Sequence, residues 1–284
     1  MEGKVCLVTG GSSGIGKAAA LALAQRGAEV VIVSRDPQRG QAAQDDLRRL
    51  SGNPAIHLYL ADLSLQAEIY NLAERVSERF GRINALVNVA GSMFWRRMLT
   101  SEGIEMNLAL NYLAYYLLTT LLLPNLEAGA PGCVINVTSV AHWWGRVNFA
   151  DMQNRRLYNI FGAYGDAKLA IILFTHELAR RLDGTGVSAY SVHPGVVATH
   201  LIERVLSTPY VAQLADFFFL TPAEGAETIV YLAGASSGAA QPGVLLNGEY
   251  YVNKRPARSS RASLDLQAAA RLWQMSAELT DHRE

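Results

Sequence analysis

Cysteine is nearly absent: the 284 residues hold two, Cys6 and Cys133. Both lie in apolar runs that read as strands. They are expected as buried free thiols of a reducing, cytoplasmic compartment, not as a disulfide framework or a metal site. A surplus of either charge is also missing. Lys+Arg and Asp+Glu balance at 25 each, with a pI near 7.0, which removes the basic footprint a nucleic-acid partner requires. No apolar run is long enough to span a bilayer. The nearest, Leu108 to Leu123, is short, carries Asn111 and reads as a buried helix. Leu214 to Leu220, with Phe217, Phe218 and Phe219, reads as a greasy lid. Met1 leads almost at once into a strand-like run, so no signal peptide or anchor is expected. Repeats and low-complexity linkers are lacking too, which makes 1–284 a single domain.

What is present is a strict alternation. Apolar runs at Lys4–Thr9, Glu29–Ser34, Ala55–Leu60, Ile83–Val89, Cys133–Ser139 and Val187–His193 read as strands. Helical spacing fills Ile15–Arg26, Pro37–Leu50, Leu65–Phe80, a long stretch from about Ser101 to Glu127, Tyr164–Leu182 and Ala223–Ala233. Near-continuous hydrophobic strands, each followed by a helix, predict an α/β fold: a three-layer, doubly wound parallel sheet of about seven strands, covered on both faces. Gly243–Leu246 is a candidate last strand. From about 247 the chain reads as a polar extended arm, with Arg255, Arg258 and Arg261 on a solvated face, leading into a final helix at Leu264–Leu279.

Between the first strand and first helix stands Thr9-Gly10-Gly11-Ser12-Ser13-Gly14-Ile15-Gly16. Glycines there bring backbone amides up to a pyrophosphate at a helix N-terminus, so the turn suits a dinucleotide. Two other motifs overlap it. Gly11 to Lys17 fits the start of a P-loop, but Ala18 stands where a Ser or Thr must hold magnesium. Gly10-x-Ser12-x-Gly14 fits a nucleophile elbow, which lacks its acid and histidine and normally follows a later strand. At the end of the second strand comes Arg35, where an acid would favour NAD. A guanidinium grips a 2′-phosphate with two parallel hydrogen bonds. Arg39 stands one turn on, and Asp36 is the competing ribose acceptor. NADP(H) is favoured over NAD(H).

Tyr164 precedes Lys168 by four positions in a run of helical spacing. Residues four apart share a helix face, so a phenol and an ammonium can enter one pocket. The lysine charge favours the phenolate, and the tyrosine pKa is expected to fall toward working pH. Such a group suits acid/base work at an oxygen.

With the glycine turn, Asp62, Asn88-Val89-Ala90-Gly91, Asn111, Ser139, Tyr164, Lys168 and Pro194-Gly195 in order, the chain resembles the short-chain dehydrogenases/reductases over essentially its whole length. It is most similar to their retinol-dehydrogenase-like branch, through Leu157-Tyr158-Asn159, the run from Leu173 to Leu182, and Tyr190-Ser191-Val192-His193-Pro194-Gly195. The resemblance implies a role for each residue. Gly10, Ser12, Ser13, Gly14, Ile15, Gly16 and Arg35 would hold the phosphates. Asp62 and Leu63 would meet the adenine, and Asn88, Ala90 and Gly91 would line the cofactor. Asn111 would hold a water that feeds protons toward Lys168. Ser139 would bond the substrate oxygen and Tyr164 would move its proton. Lys168 would bind the nicotinamide ribose, and Pro194, Gly195, Val196, Val197 and Thr199 the carboxamide. It further implies a homodimer through the helices after the fourth and fifth strands, which the long segment before Tyr164 could block. Val89, Ala167 and Tyr112 depart from the family pattern (an asparagine, a serine and a histidine respectively), which bears on the substrate more than on the catalytic groups.

Pockets of such sheets open at the carboxyl ends of the strands. Met93, Phe94, Trp95, Trp143, Trp144, Leu201 and Phe218 follow those ends, with His142 as a polar contact or a structural residue. They imply a bulky apolar ketone or aldehyde, or the matching alcohol. Arg96 and Arg97 read as exposed. A sensor of NADP(H), or a non-redox enzyme on the same fold, is the alternative; a sensor needs none of Ser139, Tyr164 and Lys168.

Overall fold

In the computed structural model, which describes residues 1–196, 220–236 and 245–282, the alternation becomes one sheet. The strands are β1 (Val5–Thr9), β2 (Glu29–Ser34), β3 (Ile56–Leu60), β4 (Ala85–Asn88), β5 (Gly132–Val137), β6 (Val187–His193), β7 (Tyr250–Val252) and β8 (Arg255–Pro256). Their order is β3-β2-β1-β4-β5-β6-β7-β8, parallel throughout except for β8. Side chains alternate across the sheet. Leu7, Val31, Val33, Leu86 and Val134 enter one core, and Cys6, Val8, Val30, Ile32, Val87 and Ile135 the other. The expected α/β architecture is present, with eight strands among the described residues for the expected seven.

Helices α1 (Gly14–Gln25), α2 (Pro37–Ser51) and α8 (Pro222–Gly234) cover the second core. The first lies under α3 (Gln66–Arg79), α7 (Ile160–Arg181), the terminal α9 (Leu266–Leu279) and a broken helix between β4 and β5. Among the described residues no helix is long and apolar enough to cross a membrane. Cys6 and Cys133 are buried and free, and burial pushes both thiols up to about 12.

Three expectations need correction. The helix expected from Ser101 to Glu127 begins only at Met106. Glu102 instead caps the start of α3, accepting from the Gln66 and Ala67 amides at 2.8 and 3.1 Å, and Gly103 takes a φ of 79°. After α4 (Met106–Leu108) comes a π-turn over Ala109–Leu113, then α5 (Ala114–Leu121) and, restarted at Pro124, α6 (Leu123–Ala128). The candidate strand at Gly243–Leu246 is not formed at Leu245 and Leu246, and 243–244 lie outside the described residues. The seventh strand is instead Tyr250–Val252, inside the supposed arm. It turns back through Asn253 and Lys254, both at positive φ, the geometry of a two-residue hairpin turn. Finally, α7 starts a turn early, capped by Asn159, which accepts from the Phe161 amide at 3.0 Å.

The C-terminal segment is wound onto the fold. Trp273 stacks on Phe174 at 5.6 Å, meets Tyr116 edge-on at 5.1 Å and carries the Arg181 guanidinium at 4.3 Å. Tyr112, the departure at a family histidine, is fully buried, and its hydroxyl lies 2.7 Å from Ser276 of α9. That side chain is committed to helix packing. Trp273→Ala is expected to destabilise by about 3 kcal/mol, read as a drop in the denaturant midpoint. A loss under about 1 kcal/mol would mean that α9 is only loosely docked.

Candidate active site

The strand order reverses between β1 and β4, and a doubly wound sheet binds its ligand in the crevice beyond that point. Thr9 stitches the two strand ends together: its hydroxyl accepts from the Val89 and Ala90 amides at 2.9 and 3.1 Å. Gly10, at φ 67°, packs on Ala90, and a Cβ at Gly16 would stand 2.3 Å from the Gly10 carbonyl oxygen. The turn is closed so tightly that only glycine serves at Gly16. Ser13 precedes α1 without a side-chain capping bond, and no acid occupies the first turn. Those amides are arranged for an anion. Ser12 meets Ser34, with their hydroxyls 3.1 Å apart. Lys17 turns to Asp46 on α2 at 2.7 Å, away from any phosphate role, which disposes of the P-loop resemblance.

Arg35 extends from the end of β2 with its side chain mostly exposed, 3.7 Å from Asp62. Asp36 caps α2, accepting from the Arg39 amide at 2.9 Å and pairing with the Arg39 guanidinium at 3.1 Å. Those bonds hold its carboxyl below the usual carboxylate range. Asp62 also accepts from the Ser64 amide and hydroxyl at 3.0 and 2.7 Å. Leu63 sends its side chain into the core. Asn88 is the last residue of β4. Its side chain is fully buried and donates to Thr119 and Asn136.

Asn111 lies in the π-turn, whose extra residue breaks the regular hydrogen-bond ladder, a feature common at functional sites. Its amide clamps the Ser92 backbone on both sides, accepting from the nitrogen and donating to the oxygen at 2.8 Å each. A Cβ at Gly91 would stand 2.7 Å from Asn111 Oδ1 and 3.7 Å from Lys168 Nζ, so these groups share one corner. Lys168 is buried, donates to the Val137 carbonyl at 3.1 Å, and sits 5.5 Å from the Tyr164 ring and 5.7 Å from the Tyr115 ring. Ser139 follows β5 and opens a short 3-10 turn, Val140–Trp143, accepting from the Ala141 amide at 3.3 Å. It is hydrogen-bonded to the Tyr164 phenol.

Two glycines that the sequence reading passed over bring these parts together. A Cβ at Gly145 would lie 2.2 Å from the Gly165 carbonyl oxygen, and one at Gly165 would strike the Ala141 oxygen and the Trp144 ring at 2.9 Å each. Backbone crosses backbone there, pressing the serine turn onto α7 beside Tyr164.

The expected fall of the tyrosine pKa is not found. Burial pushes the Tyr164 phenol up to about 12 against the opposing Ser139 hydrogen bond. Burial likewise pulls Lys168 down to about 7. Lys168 is buried and Tyr164 half-buried, and in both desolvation of the charged form is the dominant cause. At neutral pH the phenol holds its proton.

Among the candidate substrate residues, Trp95, Trp143 and Trp144 are about half exposed and Met93 half-buried, while Trp144 also donates to the Phe161 carbonyl at 3.1 Å. His142 leaves the set: it is fully buried with both ring nitrogens engaged. Pro194 and Gly195 follow β6, with Gly195 at φ 84° against Leu220. Val197, Thr199, Leu201 and Phe218, with the candidate lid at 214–219, lie outside the described residues. The Leu220 amide donates to the Val196 carbonyl at 2.8 Å.

Fold and crevice define a dinucleotide-binding α/β domain. The family model for short chain dehydrogenase matches residues 4–209, and the chain belongs to that family of oxidoreductases, in its retinol-dehydrogenase-like branch. It is 38% identical to human (Homo sapiens) retinol dehydrogenase 11 over 279 residues, covering 98% of this chain and 86% of that one. To mouse (Mus musculus) retinol dehydrogenase 12 it is 40% identical over 280 residues, covering 98% and 87%. A crystal structure of an uncharacterised protein from Mycobacterium paratuberculosis aligns with a TM-score of 0.79 at 31% identity, covering 99% of this chain and 94% of that one. The Pseudomonas aeruginosa RhlG/NADP active-site complex aligns at 0.69 with 28% identity, covering 88% and 94%.

Proposed function

We propose that the protein uses NADPH to reduce a ketone or aldehyde on a bulky apolar molecule, with Ser139, Tyr164, Lys168 and Asn111 as the working groups. The observation that carries this reading is the placement of the Tyr164 phenol, hydrogen-bonded to Ser139 and one helical turn from Lys168. The nicotinamide, when bound, supplies the hydride. Ser139 and Tyr164 then donate to a carbonyl oxygen as it gains alkoxide character, and such prepositioned donors are worth most in a site without water. A phenol that keeps its proton can donate it to that oxygen, the role that reduction asks of it. Lys168 and Asn111 meet at Gly91, in keeping with a ribose contact and a proton route through that corner.

The glycine cradle and uncapped start of α1 fit a pyrophosphate. Arg35 supports the 2′-phosphate form, because Asp36, the competing ribose acceptor, is already occupied by its capping bond and by Arg39. One solved neighbour is itself an NADP complex. Half-exposed Trp95, Trp143 and Trp144 beside the crevice support an apolar substrate. The names of the relatives suggest retinol and its aldehyde as members of that class. With Tyr112 committed to α9, its departure from the family histidine no longer speaks against them. Two buried free thiols agree with a reducing compartment such as the cytoplasm. The α9 helix covers α7 and touches α5, the face through which the family resemblance implies dimers, so we read that face as closed within one chain.

The test is a screen of NADPH and NADH oxidation against retinal, decanal and larger hydrophobic ketones, repeated with Arg35→Glu. The wild type is expected to turn over with NADPH, and the variant to lose NADPH affinity by about tenfold or more while keeping that for NADH. Equal loss for both cofactors would remove Arg35 as the selectivity residue. Turnover confined to NADH would remove the NADPH assignment.

A further inference from the structure

The serine turn is tied to the far end of the chain by one histidine. His142 Nδ1 lies 2.7 Å from the Ser139 carbonyl oxygen, and Nε2 lies 3.1 Å from the Ser260 amide nitrogen. A carbonyl only accepts and a backbone amide only donates. The ring is therefore neutral, with its proton on Nδ1, the form that burial also favours. Around it stand Trp143 at 5.3 Å and Tyr250 of β7 at 5.0 Å. Nothing in the chemistry of a carbonyl reductase demands a histidine here, yet this one is fully buried and fully bonded.

We propose that His142 is a positioning residue: by clamping Ser260 of the C-terminal arm to the Ser139 carbonyl, it holds the Ser139 hydroxyl against Tyr164. The inference rests on the reading of Ser139 and Tyr164 given above. The turn from Val140 to Trp143 is held at one end by β5 and beyond its other end by the Gly145–Gly165 crossing. Between those anchors, His142 ties the turn to the arm. The arm in turn is held by α9, through Tyr112–Ser276 and Trp273, and by Tyr70, whose hydroxyl donates to the Thr280 carbonyl at 3.0 Å. The C-terminal segment thereby becomes part of the active-site scaffold.

Ser260 allows a test from the arm's side. Its φ of −65° is the angle of proline, and its buried side-chain oxygen has no hydrogen-bond partner. Ser260→Pro suits the φ but places its ring Cδ where the amide hydrogen points at His142 Nε2, so it deletes the donor and also pushes the imidazole aside. His142→Leu breaks the tether without that clash, and Ser260→Ala is the control that keeps the donor. With NADPH and the best carbonyl of the screen above, Ser260→Ala is expected to stay within about twofold of wild type. Ser260→Pro is expected to lose about tenfold or more in kcat, with its NADPH Kd within about twofold of wild type and faster amide exchange over residues 139–145. His142→Leu should match it and add nothing to it in the double variant, whereas His142→Gln, which keeps a donor and an acceptor, should recover part of kcat. Faster exchange with unchanged kcat would overturn the positioning role, as would equal damage from Ser260→Ala. Full turnover in Ser139→Ala would instead sink the underlying serine–tyrosine reading, while the exchange data still decide whether the tether holds the turn.

Discussion

Tyr164→Phe is expected to lower kcat by about a hundredfold to ten-thousandfold, the span that one positioned acid/base group contributes, while NADPH binds almost as before. The phenol is the sole group among the described residues that stands beside Ser139, shares a helix face with Lys168 and carries a transferable proton. Removing the hydroxyl leaves the ring, and with it the packing around Lys168, so the fold should not move. The pH dependence follows from the environment. With the phenol held near 12, reduction should keep its rate up to the alkaline limit of the protein's stability, because the donor remains charged with its proton. Lys168, held near 7, changes its charge inside the working range, and an inflection near neutrality is expected in kcat/KM. Steady-state rates from pH 5.5 to 10 check both points. Unchanged turnover in the phenylalanine variant would remove Tyr164 as the proton donor, and loss of NADPH binding would show that the hydroxyl serves the cofactor.

How far the chain could be read in advance depended on whether a feature was local. The six apolar runs from Lys4 to His193 became strands because parallel strands buried on both faces leave no alternation to misread. The glycine turn was legible for the same reason: strand, glycines and helix follow one another without a gap. The helix before Asn111 was not. Ser101–Glu105 carries a single large apolar residue, Ile104, and Glu102 is committed to capping α3, a partner about 35 positions away. The strand Tyr250–Val252 hid in a polar segment because it is three residues long and its turn, Asn253–Lys254, lacks the glycine that usually marks it. Chemistry-bearing residues divided along the same line. Tyr164 and Lys168 share one helix and were visible as a pair. His142 gains its meaning from Ser260, and Gly145 from Gly165, through contacts that no local pattern announces. The pKa of Tyr164 was misjudged because spacing reveals the neighbouring charge but not the loss of water around both groups.

That loss of water leads to the second large effect. Lys168→Met is expected to cut turnover by about a hundredfold or more and, at the same time, to stabilise the fold. The lysine is 4% exposed, its ammonium has a single acceptor among the described residues, the Val137 carbonyl at 3.1 Å, and burial pulls it down to about 7 from the ordinary 10.5. In the unfolded chain the amine keeps its proton up to that ordinary value. Between pH 7 and 10.5 the unfolded state therefore binds more protons than the folded one, so stability rises with pH across that window. Below pH 7 both states are protonated and the cost of burying the ammonium is fully felt. It amounts to a few kcal/mol at about 1.4 kcal/mol per pH unit. Methionine has a similar length and no charge to desolvate, so its gain should be largest near pH 6 and fade toward pH 10. Denaturant unfolding of both proteins at pH 6 and pH 9.5 measures the difference. A variant less stable than wild type at pH 6, or a gain of equal size at both values, would mean that the ammonium is well solvated where it sits. The stability lost to a charged group in a dry corner would then have to be explained by something other than the chemistry proposed for that corner.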